Sequence, residues 1–249
     1  MTSPFDGKTL VFVGGLHRSG TSLLHRCLSE HPDASGFRDT GVPEDEGQHL
    51  QSVYRPARAH GGPGRFGFDP GAHLTEESPL VSDENRARLA ADWTPHWDLT
   101  RRVLVEKSPP NLIRGRFLQA MLQGSRLVMM MRHPIAVACA TRKWSWSSYS
   151  ELVEHWLVCH ETLIGDAPHL QDPVILRYED MVAAPTACST PRSGRRGLTP
   201  TRAASRCDPA STTPTSTAGR VGAGTRASGR TPTGRCSGSR TACAASATA

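Results

Sequence analysis

The chain has 249 residues, of which 37% are hydrophobic, and its 29 basic and 23 acidic residues give a net charge of +6 at pH 7. No basic segment followed by an apolar core opens the sequence, and no apolar run approaches the length of a membrane span. We therefore predict a soluble, cytoplasmic protein without membrane contact, with one domain in residues 1–185 and a separate tail in residues 186–249.

The first predicted strand, residues 10–13, leads into a glycine-bounded turn and then a helix. The turn reads Gly-Leu-His-Arg-Ser-Gly-Thr-Ser over residues 15–22, which is the spacing of a phosphate loop. Strand, turn and helix in this order aim several backbone N–H groups at one point, where the helix dipole adds positive potential. A nucleotide triphosphatase carries a lysine where this chain has Thr21, and Arg18 lies inside the turn instead. A fork of donors suits a single terminal phosphate better than a magnesium-bound triphosphate.

Apolar runs and helical patterns alternate along the rest of the domain. Continuous apolar runs predict strands buried on both faces at residues 10–13, 103–105, 127–131 and 174–176. Between them, helices are predicted at residues 22–30, 83–96, 110–122, 135–143 and 149–164. This alternation predicts an α/β fold, a doubly wound parallel sheet of the P-loop type.

Three further motifs follow the phosphate loop in order. They are a Glu-Lys-Ser-Pro turn at residues 106–109, an apolar strand ending in Arg-His-Pro at residues 132–134, and an Arg-Tyr-Glu-Asp segment at residues 177–180. With the loop, they make the chain resemble the sulfotransferase family, whose members use 3′-phosphoadenosine 5′-phosphosulfate as donor. The resemblance spans residues 8–185 and implies sulfuryl transfer that requires no metal.

The resemblance also implies roles for the matching residues. Lys107 matches a catalytic lysine that contacts the bridging oxygen and the transferred sulfonate. Arg132 matches an arginine that binds the 3′-phosphate with the help of a serine, but the matching serine position is Ala140, and Thr141 faces about 100° further round the helix. The residues expected to bind the donor are Arg18, Ser19, Gly20, Thr21, Ser22, Arg132 and Tyr178.

The acceptor hydroxyl or amine needs a base, and we expect it in the Gly-, Pro- and His-rich segment 37–80, which is long for a loop. Some family members use a carboxylate in this region, and the spacing from the phosphate loop matches Asp39 best, with Glu46 and His49 next. The remaining candidates are Glu44 and Asp45. We expect a small-molecule or glycan acceptor, and the sequence indicates no oligomeric state.

Composition changes abruptly at about Pro185. The 64 residues of the tail hold ten Arg, one acidic residue and no Lys, so they carry +9 and leave −3 for residues 1–185. Leu198 and Val221 are the only large aliphatic residues there, and aromatic residues are missing, so we predict disorder. Four of the seven cysteines fall in the tail, without metal-ligand spacing.

Three explanations of the tail remain open. The tail could bind nucleic acid or another acidic surface, or it could be a flexible linker or extension without function. The third explanation is a reading-frame error in a GC-rich gene. The abrupt change favours the last explanation. The tail has no aromatic residues for stacking on bases and no clustered basic stripe, so we expect no specific nucleic-acid partner.

Three functions fit these observations to different degrees. The sequence favours a sulfotransferase that uses 3′-phosphoadenosine 5′-phosphosulfate. A P-loop kinase is the main alternative, but it needs a lysine at position 21 and a magnesium-binding aspartate after a strand. A truncated, non-catalytic sulfotransferase relative is favoured by Ala140 and by the tail, which replaces the segment that closes over the nucleotide in the family.

Overall fold

Five parallel strands form the sheet of this protein, in a computed structural model that describes residues 4–183. In space the strands follow the order β2-β3-β1-β4-β5. Their bounds are β1 Thr9–Gly15, β2 Ala34–Gly36, β3 Val103–Lys107, β4 Arg126–Met131 and β5 Val174–Arg177. The four predicted strands are confirmed, whereas β2 was not predicted because three residues of Ala-Ser-Gly carry no strand pattern.

Six α-helices connect or follow these strands. They are α1 Thr21–Ser29, α2 Asp83–Trp93, α3 Gly115–Met121, α4 Pro134–Thr141, α5 Tyr149–Asp166 and α6 Tyr178–Ala183. The helix predicted at residues 110–122 is wrong in its first part, where Pro109–Ile113 forms a 3₁₀ segment. Arg114 separates the two pieces because it leaves the helical region, and its buried guanidinium donates to the carbonyl oxygens of Ala72 and Arg55.

The two faces of the sheet have separate apolar cores. Phe12 of β1 belongs to a large core that also contains Trp93 of α2 and Phe117 of α3. The next residue, Val13, points to the opposite face and packs with Leu24 of α1 in a smaller core. Since each fully buried side chain of this size contributes about 1.5–3 kcal/mol, both faces stabilise the sheet. Helices on both faces confirm the doubly wound architecture.

The segment 37–80 is packed against the large core rather than looped away from it. Five short 3₁₀ turns make up most of its ordered backbone. The buried side chains that anchor it are Phe37, Val53, Tyr54, Ala57, Phe66 and Ala72. The segment expected to bind the acceptor is therefore fixed over the sheet by its own apolar residues.

Strand register brings three connections together at the carboxyl edge of the sheet. Val13 of β1 lies beside Lys107 of β3, and Gly15 of β1 lies beside Met130 of β4. Ligands of open α/β sheets bind at this edge, where neighbouring connections diverge to opposite faces. No helix of residues 4–183 has both the length and the apolar character to cross a membrane. The predicted domain boundary and tail, residues 186–249, lie outside the described residues.

Candidate active site

The phosphate loop connects the end of β1 to the start of α1 through two tightly packed glycines. Gly20 has φ 105°, and a Cβ there would lie 2.5 Å from Cδ2 of Tyr178. A Cβ on Gly15 would lie 2.6 Å from the carbonyl oxygen of Met130. No side chain caps the first turn of α1, and none of its residues is acidic. The loop therefore keeps both its close backbone approach and the positive end of the helix dipole available for an anion.

Ser19 is the side chain of the loop most suited to a bound phosphate oxygen. It is 1% exposed, and its Oγ has no hydrogen-bond partner among the described residues. A buried hydroxyl without a partner costs free energy, which an anionic ligand at the loop would recover. Thr21, where a triphosphatase has lysine, is buried at the helix start, and Ser22 Oγ donates to Glu44 Oε2 over 3.3 Å.

Four of the residues expected to bind the donor meet at one end of the loop. Arg132 follows β4 and donates from Nη1 to the carbonyl oxygen of Arg18 over 3.0 Å. Its guanidinium carbon lies 4.3 Å from the ring centroid of Tyr178, whose ring covers Gly20. Arg18 has φ 69°, and its guanidinium lies 5.8 Å from the ring centroid of Trp144. The fold thus joins the first, third and fourth sequence motifs.

Two further residues hold this end of the site, and sequence reasoning missed both. Trp156 of α5 donates from Nε1 to the carbonyl oxygen of Arg132 over 2.9 Å. Glu179 accepts a hydrogen bond from the backbone N–H of His133 over 3.0 Å, and this bond lowers the pKa of the Glu179 carboxyl. Glu179 lies inside the Arg-Tyr-Glu-Asp motif, so the motif itself could have indicated its role.

Lys107 ends β3 and is buried against the segment that follows α1. It is 1% exposed, and its Nζ donates to Glu46 Oε1 over 3.1 Å and to the carbonyl oxygen of Glu44 over 2.9 Å. Glu46 is also buried, and burial raises the pKa of its carboxyl, although the ammonium of Lys107 opposes this shift. Gln48 Nε2 donates to the other oxygen of Glu46. A buried cation and a buried carboxylate thus lie together beside the phosphate-loop strand.

Asp39, the base that spacing favours, lies elsewhere. Its side chain is exposed, its φ is 54°, and among the described contacts it makes none with Lys107. The carboxylate that meets Lys107 is Glu46, the second choice from sequence. The backbone N–H of Asp39 instead helps to bind the carboxylate of Asp45. A role for Asp39 as the base stays a prediction that these contacts do not favour.

Two histidines lie near the buried pair. His49 Nε2 is 3.8 Å from Glu46 Oε2, and burial, Arg58 and Lys107 together lower the pKa of its imidazole. Burial lowers the pKa of His17 to about 3, with smaller contributions from His155 and Lys107. His17 is therefore neutral at pH 7.

Thr141, the neighbour of Ala140, lies against the phosphate loop. Its hydroxyl is buried and donates to the carbonyl oxygen of His17 over 3.4 Å. This hydrogen bond therefore helps to hold the backbone of the phosphate loop in place. In residues 4–183, no three His, Cys, Asp or Glu side chains cluster as metal ligands, and the absence of a metal stays a prediction.

Three solved structures are similar to this chain at low identity. The sulfotransferase STF1 from Mycobacterium tuberculosis is 17% identical, with a TM-score of 0.41, and the match covers 72% of this chain and 65% of that one. The sulfotransferase domain of the Synechococcus PCC 7002 olefin synthase is 16% identical over 73% of this chain and 70% of that one, with a TM-score of 0.44. A sulfotransferase from Alicyclobacillus acidocaldarius is 15% identical over 72% and 77% of the two chains, with a TM-score of 0.41.

The chain spans less than two thirds of the length of the mycobacterial protein. A search of curated protein sequences found no match. In the family comparison, residues 11–189 match the sulfotransferase family. This match includes the phosphate loop, the Glu-Lys-Ser-Pro turn and the Arg-Tyr-Glu-Asp segment, and it extends over more than half of the chain. The protein therefore belongs to the sulfotransferase family.

Proposed function

We propose that this protein transfers a sulfuryl group from 3′-phosphoadenosine 5′-phosphosulfate to a hydroxyl or amine of a small molecule or glycan. The observation that carries the proposal is the buried Lys107–Glu46 pair, one strand away from the phosphate loop. Sulfuryl transfer needs a cation near the leaving oxygen, where negative charge develops. It also needs a base near the acceptor, which loses a proton. Cytoplasmic location, like the class of acceptor, belongs to this proposal.

The residues around the loop fit the two ends of the donor. The unpartnered Ser19 hydroxyl and the uncapped start of α1 suit the 5′-phosphosulfate, with Arg18 at its side. Arg132 offers its remaining donors to a 3′-phosphate, and Tyr178 provides a ring face at the same end of the loop. When bound, the donor supplies an activated sulfuryl group.

Lys107 and Glu46 divide the chemistry between them. The ammonium of Lys107 stabilises negative charge that develops on the oxygen of the breaking S–O bond. Glu46 accepts the proton of the acceptor as the new bond to sulfur forms, and its raised pKa brings it closer to the range in which a base works at neutral pH. Residues 44–45 precede Glu46, and the Glu44 carbonyl accepts a hydrogen bond from Lys107; Glu44 and Asp45 have positive φ values of 54° and 49°. In this proposal, that strained segment shifts to admit the acceptor.

A non-catalytic relative is a second candidate, and Ala140 is the observation that favours it. The 3′-phosphate loses the hydroxyl donor that the family resemblance expects, while Thr141 is occupied by the His17 carbonyl. Such a protein binds the nucleotide weakly and releases no sulfate from the donor.

Nucleotide binding by the full chain tests the donor. Adenosine 3′,5′-bisphosphate without magnesium should raise the melting temperature, and at 100 times its Kd it stabilises by about 2.7 kcal/mol, or about 5–10 °C for a domain of this size. ATP with magnesium should give little change. An equal, magnesium-dependent effect of ATP supports a kinase instead.

Release of radiolabelled sulfate from the donor tests transfer without a known acceptor, because water can take the sulfuryl group slowly. Lys107→Ala should lower the release rate about 100-fold or more while bisphosphate affinity changes little, since Lys107 acts in the transition state. The matched control is Lys143→Ala, which removes an exposed lysine. A rate for Lys107→Ala within a few-fold of the parent contradicts the proposed chemistry.

A further inference from the structure

Glu106 is a fully buried carboxylate that the proposed chemistry does not use, and it precedes Lys107 in β3. Its Oε1 accepts a hydrogen bond from Ser108 Oγ, and its Oε2 accepts one from Asn111 Nδ2, both over 2.6 Å. Burial of a carboxylate is unfavourable, and it raises the pKa of Glu106 to about 7. A buried acid at this position therefore has a cost that its hydrogen bonds only partly offset.

The two donors connect Glu106 to two other parts of the site. Asn111 Nδ2 also donates to the carbonyl oxygen of Val13 over 3.1 Å, in the strand that leads into the phosphate loop. Ser108 Oγ accepts a hydrogen bond from the backbone N–H of Gln48 over 2.9 Å. Through these bonds, Glu106 joins β1, the end of β3 and residues 46–48.

Residues 46–48 have little room to move against Glu106. A Cβ on Gly47 would lie 2.5 Å from both Cγ and Oε1 of Glu106, and the Gly47 carbonyl accepts a hydrogen bond from Trp93 Nε1 over 3.0 Å. Gln48 is fixed further by the backbone N–H of Ala57, which donates to its Oε1 over 2.7 Å. Nε2 of the same Gln48 amide donates to Oε2 of Glu46. The backbone that follows Glu46 is thus tied directly to the Glu106 cluster.

We propose that Glu106 is a positioning residue that holds Glu46 against Lys107, acting through Ser108 and the backbone of Gln48. Its catalytic consequence rests on the sulfuryl transfer proposed above, but the positioning itself does not. A cluster that only stabilises the core would leave the Glu46–Lys107 contact unchanged in any variant that still folds. A positioning cluster loosens that contact when one of its bonds is removed.

Lysine labelling of the full chain measures this contact without any activity. The chain has only three lysines, Lys8, Lys107 and Lys143, so the acetylation rate of each can be followed by peptide mass spectrometry. In Ser108→Ala, Lys107 should be acetylated about tenfold faster relative to Lys143, because a hydrogen bond of the cluster is lost. Glu106→Ala should give at least the same increase.

A control variant separates positioning from general loss of stability. Gln119 is also a buried polar residue, and its amide donates to the carbonyl oxygens of Ser125 and Gln171. These two residues precede β4 and β5, so they lie at the amino edge of the sheet, opposite the candidate active site. Gln119→Ala should leave the relative labelling of Lys107 unchanged. Equal labelling of Lys107 in the parent and in Ser108→Ala overturns the proposal, as does an equal increase in Gln119→Ala. Failure of Ser108→Ala to fold also overturns it, because the cluster is then structural.

Sulfate release distinguishes this proposal from the proposed function. Ser108→Ala should lower the release rate about tenfold with unchanged bisphosphate affinity, and it should add no further loss in a Glu46→Gln background, since both act through one group. Additive losses contradict action through Glu46. If labelling changes as expected while the parent releases no sulfate, the positioning role stands and the sulfotransferase activity fails.

Discussion

Glu46→Gln is the substitution that most directly tests the site, because it removes the charge that balances a buried lysine. Lys107 is 1% exposed, and its remaining partner is a neutral backbone carbonyl. Breaking a buried ion pair by removing one partner costs about 3–5 kcal/mol, and the amide oxygen of glutamine can still accept one hydrogen bond, so we expect about 3 kcal/mol. For a domain of this size, that loss lowers the melting temperature by about 6–12 °C. Loss of a general base lowers the rate about 10²–10⁴-fold.

Asp39→Asn is the matched control, because it makes the same chemical change at the carboxylate that spacing favours. Asp39 is exposed and does not meet Lys107 among the described contacts, so the change should cost within about 0.5 kcal/mol. Thermal melts and sulfate release, measured on both variants, give the stability and the rate. The reasoning is refuted if Asp39→Asn loses transfer while Glu46→Gln melts and reacts like the parent.

Four other substitutions test separate parts of the structure. The pKa of Glu106 is about 7 in the folded protein against an ordinary 4.5, so the folded state binds more protons between these values and loses stability as pH rises through them. Glu106→Gln has no group that titrates here, so its stability relative to the parent should rise by about 3 kcal/mol from pH 4.5 to 7.5, measured by urea melts. A difference in stability that stays constant with pH contradicts the raised pKa of Glu106. Gly47→Ala should destabilise by about 1–3 kcal/mol through contact with Glu106, whereas Gly165→Ala, in open space on α5, should stabilise by about 0.5–1 kcal/mol. Arg132→Ala should weaken bisphosphate binding about 10–100-fold in calorimetry, and unchanged affinity would remove it from the donor site.

The phosphate loop was predictable because local sequence determines it. An apolar strand, two glycines and a helix follow one another within about twenty residues, so no distant contact is needed to place Ser19 or Arg18. Lys107 and Arg132 were predictable for a related reason. Each ends a continuous apolar run, and parallel strands bring such ends to one edge.

The identity of the carboxylate at Lys107 was not predictable in the same way. Asp39 and Glu46 both lie in a segment whose backbone follows no repeating pattern, so spacing alone cannot tell which of them turns inward. The path of this segment is set by distant residues, since Ser108 binds the backbone of Gln48 and Trp93 binds that of Gly47. Contacts over separations of 46 and 60 residues leave no signature in the local sequence.

Because side chains alternate along β3, one short segment contacts both Glu106 and Lys107. Glu106 and Lys107 are consecutive in a strand, so their side chains leave opposite faces of the sheet. Residues 44–48 run across the end of that strand and contact both faces, with Glu46 on Lys107 and Gly47 on Glu106. In the positioning proposal, these five residues of backbone couple the two faces. The positioning proposal therefore predicts that loss of the Ser108 bond on one face changes the surroundings of the lysine on the other face.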